Sequence, residues 1–269
     1  MPTIANHISM TVPIAMIRYF IINRKLPELQ LFLTMKYTTG GHFKLNKESR
    51  NWICNILRWK SDKTFRKHLK WLINHRLVTV NSKTSNYRIV RYDLAMRRLK
   101  LVGKKSARIN YQDLGIRFKA FCYGSVITYY SRYKYFLDCK KGSSVRKTGH
   151  TSKHDDGPYL ILPNASLAHF MGIDIATASR YRSVARKAHY IEVYDDLVCL
   201  NLPASFLTEE QERCPKLASR MRVLNGKIYI QMPSQIVPCI SLVNKNYKCE
   251  RPKTGWERRL AVKLSNSSP

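Results

Sequence analysis

Apolar side chains recur at helical spacing three times between residues 26 and 74. Residues 26–38 have Pro27 and Glu28 in the first turn and an apolar face behind them. Asn46 is suited to cap a second helix, and Ser61 or Asp62 a third. The third segment repeats apolar residues at i, i+4, i+7 and i+8, at Phe65, Leu69, Leu72 and Ile73. The pattern predicts three successive helices.

Two short β-branched runs follow the third helix. Residues 77–80 and 87–90 flank a polar loop, a pattern typical of a β-hairpin. Residues 99–112 then break the periodicity and are interpreted as a connector.

A second cycle begins near Asp113. Residues 114–137 predict one long helix, and residues 140–157, rich in Gly, Ser and charged residues, predict a flexible loop. Asn164 and Asp174 are suited to cap two further helices. Residues 190–193 and 197–200 predict a second hairpin, with Asp195 and Asp196 at its tip.

The two cycles superpose at one constant offset along the chain. This offset aligns Thr64 with Thr177, Lys67 with Arg180, and Val78 with Ile191. The shared spacing indicates an internal repeat.

The start of the third helix, with Thr64 and Lys67 in one copy and Thr177 and Arg180 in the other, resembles the winged helix-turn-helix family of DNA-binding domains. The resemblance covers about residues 26–92 and 113–202, and the tandem arrangement is weakly similar to plasmid and phage replication initiators. It implies an α+β, mainly helical fold: two winged helix-turn-helix domains in tandem plus a C-terminal β-hairpin and basic tail. Family members often place Gly twelve residues after the Thr, where this chain has Arg76 and His189.

This interpretation divides the chain into four segments. Residues 1–98 form the N-terminal winged-helix domain, 99–112 the connector, 113–202 the second domain with its loop 140–157, and 203–269 a C-terminal extension. Within the extension, Asn225-Gly226 predicts a hairpin over residues 220–232, which either adds strands to a domain or forms a contact in a homodimer. The last twenty or so residues are interpreted as a basic, partly disordered tail.

The charge points to an anionic partner. Lys and Arg number 48 against 17 Asp and Glu, a net charge of +31, of which residues 1–100 hold +16 and residues 159–202 none. Nucleic acid is the leading candidate for the partner.

The resemblance implies that the third helix of each domain enters the major groove of double-stranded DNA. The first domain would contact DNA through Lys63, Arg66, Lys67, Lys70, Lys83 and Arg88. The second would contact it through Thr177, Ser179, Arg180, Arg182, Ser183 and Arg186. The lysines suit phosphates, and the short hydroxyls beside Arg suit base edges, so we expect affinity from the first domain and discrimination from the second.

The sequence offers little evidence for catalysis, cofactor binding or metal binding. The sequence has no phosphate-binding Gly loop, no Gly-x-Ser-x-Gly and no His-Glu-x-x-His, so neither an enzyme nor a cofactor is expected. His150 and His154 are spaced like metal ligands but lie in the Gly- and Ser-rich loop, and no metal site is assigned. Seven scattered cysteines fit reduced thiols, and the apolar run 11–22 is too short to span a bilayer, so we expect a cytoplasmic protein.

Two other functions stay open. One is a single-stranded nucleic-acid or RNA binder, in which a run of tyrosines stacks on bases alongside Arg132 and Lys134. The run consists of Tyr123, Tyr129, Tyr130, Tyr133 and Tyr135. The other is a DNA recombinase or nickase that uses a spatial cluster of acidic residues.

Overall fold

The computed structural model shows an α+β protein with small antiparallel sheets. It describes residues 9–39, 41–81, 86–140, 160–194, 197–203, 206–207, 213, 221–231 and 235–244. Most of the predicted loop 140–157, the residues Lys83, Asp195 and Asp196, and the predicted basic tail lie outside this range. None of the helices it describes is long and apolar enough to cross a membrane.

The first described elements are strand β1 (Ser9–Pro13) and helix α1 (Ile14–Ile22). The predicted three helices and hairpin follow. They are α2 (Leu26–Thr39), β2 (His42–Lys44), α3 (Lys47–Leu57), α4 (Asp62–Asn74), β3 (Val78–Asn81) and β4 (Asn86–Ile89). We call α2 to β4 the first unit. Its strands form a sheet in the order β2-β4-β3.

Helix α5 (Tyr92–Arg98), strand β5 (Lys105–Asn110) and a short 3₁₀ turn (Tyr111–Leu114) lead to the long helix α6 (Phe118–Lys140). Next come β6 (Leu160–Ile161), α7 (Asn164–Met171), α8 (Ile175–Lys187) and β7 (Ile191–Tyr194). The last strands are β8 (Leu197–Pro203), β9 (Met221–Leu224), β10 (Lys227–Gln231), β11 (Gln235–Pro238) and β12 (Leu242–Asn244).

One helix and one strand of the two cycles match at the offset of the predicted internal repeat. The offset that aligns Thr64 with Thr177 also superposes both ends of α4 on those of α8, and both ends of β3 on those of β7. In both sheets, β6-β11-β7 and β2-β4-β3, the strand that comes last along the chain lies in the middle. We call α6, β6, α7, α8, β7 and β11 the second unit.

The predicted hairpin of residues 190–193 and 197–200 is wrong. Strand β7 pairs with β11, from Tyr194 opposite Gln235 to Ile191 opposite Pro238, whereas β8 pairs with β10. The chain between β7 and β11 therefore carries an inserted sheet of order β8-β10-β9. The junction offers no Asn-Gly or Asp-Gly pair to close a tight turn locally.

The hairpin predicted at Asn225-Gly226 is confirmed. Strands β9 and β10 pair with Leu224 opposite Lys227, and both turn residues have positive φ, 51° and 72°. This is the conformation a two-residue hairpin turn requires. The hairpin adds strands to the inserted sheet, which is one of the two alternatives that its sequence left open.

The segment interpreted as a connector contains a central strand. Strand β5 pairs with β1 on one side and β12 on the other, so residues from both ends of the described chain meet on it. Its inner side chains, Ala107 and Ile109, are fully buried. Strands β1, β5 and β12 are too short to show a clear alternation of apolar and polar residues, so the sequence pattern did not predict them.

One hydrophobic core runs through both units, from Met10 to Ile240. At its centre Gly124 allows α6 to approach the start of β7, because a Cβ at this position would lie 2.6 Å from the Cβ of Tyr190. The Tyr190 hydroxyl hydrogen-bonds to Asp113, and burial together with this carboxylate raises the pKa of Tyr190. Arg18 of α1 donates to the carbonyl of Phe170 at 2.5 Å and lies over its ring.

Candidate nucleic-acid interface

Helix α4 has one apolar face and one cationic face. Its buried residues are Phe65, Leu69 and Leu72, each contributing about 1.5–3 kcal/mol on burial. The exposed face carries the four predicted cations, Lys63, Arg66, Lys67 and Lys70. Because the inner face supplies the packing energy, the outer cations are not needed to hold the helix in place.

A buried carboxylate positions α4 against α2. The Nδ1 atom of His68 lies 3.1 Å from Oε1 of Glu28, and Nζ of Lys25 lies 3.5 Å from the same oxygen. The Glu28 side chain is 4% exposed, and the Trp59 ring packs on His68 with centroids 4.9 Å apart. The sequence does not predict the contact between Glu28 and His68, because only Lys25 and Glu28 are close along the chain.

The N-terminus of α4 is an ionic cluster. Asp62 forms ion pairs with Arg50 and Arg66, and each Nε lies 2.8 Å from a carboxylate oxygen. Arg66 remains 69% exposed, and a surface pair of this kind contributes about 0–1 kcal/mol. Arg66 therefore stays accessible to a partner.

Strand β4 carries one further predicted cation. Arg88 is exposed and lies opposite Thr79 on β3 and His42 on β2. Thr79 donates its hydroxyl to the Arg88 carbonyl at 3.4 Å.

Helix α8 presents a different exposed face. Four of its predicted contacts are exposed: Ser179, Arg180, Ser183 and Arg186. Its inner side packs on α6 through Ala178 and Ala185, which are buried, and through Tyr181, which stacks on Tyr123 at 3.9 Å. Burial and the neighbouring tyrosine raise the pKa of Tyr123 to about 12.

The prediction that Arg182 contacts DNA is wrong. Arg182 is buried, and its guanidinium donates to the carbonyl of Leu162 at 3.4 Å and lies 3.5 Å from Oδ1 of Asn164. Side chains two positions apart on a helix point about 200° away from each other, so Arg182 and Arg180 project in opposite directions.

Thr177 serves the helix cap. Its hydroxyl and its backbone N–H each donate to the carboxylate of Asp174 at 2.7 Å. These bonds hold the pKa of Asp174 below its usual value. The Thr177 hydroxyl is therefore used within the chain, unlike those of Ser179 and Ser183 on the outer face. Asn164, predicted as a cap, is instead the first residue of α7.

Both helices run into their strands through the same turn. Arg76 and His189 have φ of 55° and 60°, at the position where winged helices often have Gly. After α4, the N–H of Leu77 donates to the carbonyl of Leu72 at 2.8 Å; after α8, that of Tyr190 donates to Ala185 at 3.0 Å. The turn thus forms without glycine.

The aromatic residues mostly pack inside the protein. Tyr130 stacks on Phe170 at 4.1 Å, Tyr129 lies near both Phe170 and Tyr133, and only Tyr133 of these tyrosines is exposed. Trp71 contacts Phe20 and His75. These contacts remove most of the surface on which single-stranded bases would stack.

No group of three or more His, Cys, Asp or Glu side chains gathers as a metal site in the ranges given above. His150 and His154 lie outside them. Cys54, Cys122, Cys199 and Cys239 are free thiols, and burial raises the pKa of Cys54 and Cys122.

Comparison with known proteins adds no relative: no family model, no curated protein and no solved structure matches this chain.

Proposed function

We propose that this protein binds double-stranded DNA in a sequence-specific manner through two winged helix-turn-helix units, as a replication initiator of a mobile element or a transcription regulator. One observation supports this most. Helices α4 and α8 lie at the same place in two repeated units, each packed by an apolar face and each exposing cations.

The physical match is with the major groove. An α-helix fits its width of about 12 Å, and side chains from the first turns reach base edges while flanking cations hold phosphates. Lys63, Lys67 and Lys70 on α4 favour phosphate contacts, whereas Ser179, Arg180 and Ser183 on α8 favour base contacts. We assign affinity mainly to α4 and discrimination mainly to α8.

A single-stranded target is less well supported. The tyrosines that would stack on bases are largely engaged with one another and with Phe170. Competition of single-stranded and double-stranded DNA for the full chain distinguishes the two targets.

The experiment is selection of duplexes from a random-sequence pool by the full chain, followed by binding measurements on the enriched sequence. We expect enrichment of a defined sequence. If about 6–10 phosphates are contacted, affinity falls about 10³–10⁵-fold between 50 and 200 mM salt.

Two variants separate the roles of the helices. Lys67→Gln should weaken binding evenly across sequences and reduce the salt slope by about one, whereas Arg180→Gln should cost about 1–3 kcal/mol on the enriched sequence and relax its preference. Lys119→Gln, the same charge change on the exposed side of α6, is the matched control and should leave binding unchanged. Binding without sequence preference or without salt dependence contradicts the proposal.

A further inference from the structure

Ile175 is a large apolar side chain on the surface proposed to face DNA. It is the first residue of α8 and is 57% exposed. The i, i+4 row that begins at Ile175 continues through Ser179, Ser183 and Lys187, and all four residues are exposed. The side chain therefore lies on the same ridge as the predicted base contacts.

The equivalent position in the first unit has opposite chemistry. Asp62 occupies it, as the first residue of α4, and is bonded to Arg50 and Arg66. One helix thus begins with an ionic cluster and the other with an aliphatic side chain. Neither residue is buried, so the difference lies on the surface of the two helices.

We propose that Ile175 determines part of the sequence specificity by contacting the 5-methyl group of thymine in the major groove; this rests on the proposed DNA-binding function. An aliphatic side chain makes no hydrogen bond to a base. The thymine methyl is the apolar group that base pairs present in that groove. Cβ atoms tilt toward the helix N-terminus, so the Ile175 side chain points past the N-terminal end of α8. In the proposed docking this end enters the major groove first, which brings Ile175 close to the base edges.

The test removes the methyl group alone. In the duplex enriched from the random pool, each thymine is replaced in turn by deoxyuridine, and binding of the full chain is measured. At one or two thymines we expect about a fourfold loss of affinity, the effect of withdrawing one methyl-sized group from contact. For Ile175→Ala, thymine and uracil at those positions should bind equally.

Val184→Ala is the matched control. Val184 is an exposed aliphatic residue of the same helix, 40% exposed, on the side opposite Ile175. This variant should keep the full discrimination between thymine and uracil. Thermal unfolding of both variants checks that they fold as the wild type does.

The outcomes separate the two proposals. Sequence-specific duplex binding that no uracil substitution weakens, or an Ile175→Ala variant that still discriminates thymine from uracil, overturns the role of Ile175 and leaves the DNA-binding function standing. Absence of any preference among duplexes overturns the proposed function, and this inference with it.

Discussion

At the scale of single residues, basic side chains occupy left-handed backbone positions just after helices. In the described ranges these are Arg24, Arg58, Arg76, Lys100 and His189, with φ between 53° and 60°. The conformation costs about 1–2 kcal/mol for an L-residue, and a cation beside a helix C-terminus returns about 0.3–1 kcal/mol. The balance is unfavourable for stability, so glycine would serve the fold better at these positions.

We therefore expect Arg76→Gly to raise the free energy of unfolding by about 0.5–1 kcal/mol, since relief of strain exceeds the added chain entropy of glycine. Urea unfolding measures it. Lys67→Gly, in the exposed middle of α4, is the control and should lose about 1 kcal/mol. Equal destabilisation by both substitutions would show that Arg76 is not strained.

Gly124 shows the reverse case, a glycine that the fold requires inside a helix. An added Cβ would lie 2.6 Å from the Cβ of Tyr190 and 3.0 Å from Cδ1 of Ile240. We expect Gly124→Ala to destabilise the protein by about 1–3 kcal/mol despite the better helix propensity of Ala. Ala176→Gly, on the exposed start of α8, provides the comparison, because there Ala is the more stable residue by about 1 kcal/mol. Stabilisation by Gly124→Ala in thermal unfolding would contradict the close approach of α6 and β7.

At the scale of elements, the cap of α8 depends on pH. The pKa of Asp174 is lowered, first by the hydrogen bonds from Thr177. Because the pKa is lower in the folded chain than in the unfolded one, where it is about 3.9, the carboxylate stabilises the fold above about pH 4. This stabilisation is lost as the pH falls through the lowered folded-state pKa.

Asp174→Asn keeps the cap oxygen but removes the titration. We expect the wild type to exceed this variant in free energy of unfolding at pH 7, and the difference to shrink as the pH falls below the lowered pKa. Urea unfolding across this pH range measures it. Ser61→Ala removes the uncharged cap of α4, and its effect should not change with pH. A difference between wild type and Asp174→Asn that is the same at every pH would contradict the lowered pKa.

The elements that the sequence predicted are those with local signals. Helices α3, α4 and α8 carry side-chain caps and apolar stripes, and hairpins β3–β4 and β9–β10 join strands that are close in sequence. The paired strands β1–β5 and β7–β11 are far apart in sequence, so no turn motif between them predicts the pairing. Arg182 was predicted to be exposed for a related reason. Arg180 and Arg182 are the same residue type on one helix, and only the packing of α8 on α6 shows that Arg182 lies on the buried side.

At the scale of the whole molecule, the two units are joined by more than a connector. Strand β5 pairs with strands from both ends of the described chain, Arg18 of α1 donates to the Phe170 carbonyl of the second unit, and the buried core is continuous. A charge of +31 opposes compactness, and these contacts resist it. If these contacts contribute more free energy than charge repulsion removes, neither unit unfolds alone.

We accordingly expect one cooperative unfolding transition. Trp52, Trp59 and Trp71 all lie in the first unit, so in a Trp256→Phe background tryptophan fluorescence reports that unit, whereas far-ultraviolet circular dichroism reports both. The two signals should give the same urea midpoint, as a two-state transition requires. Arg18→Ala serves as the probe of coupling and should move both midpoints down together. A dichroism transition that continues after the fluorescence change is complete would show two independent units instead.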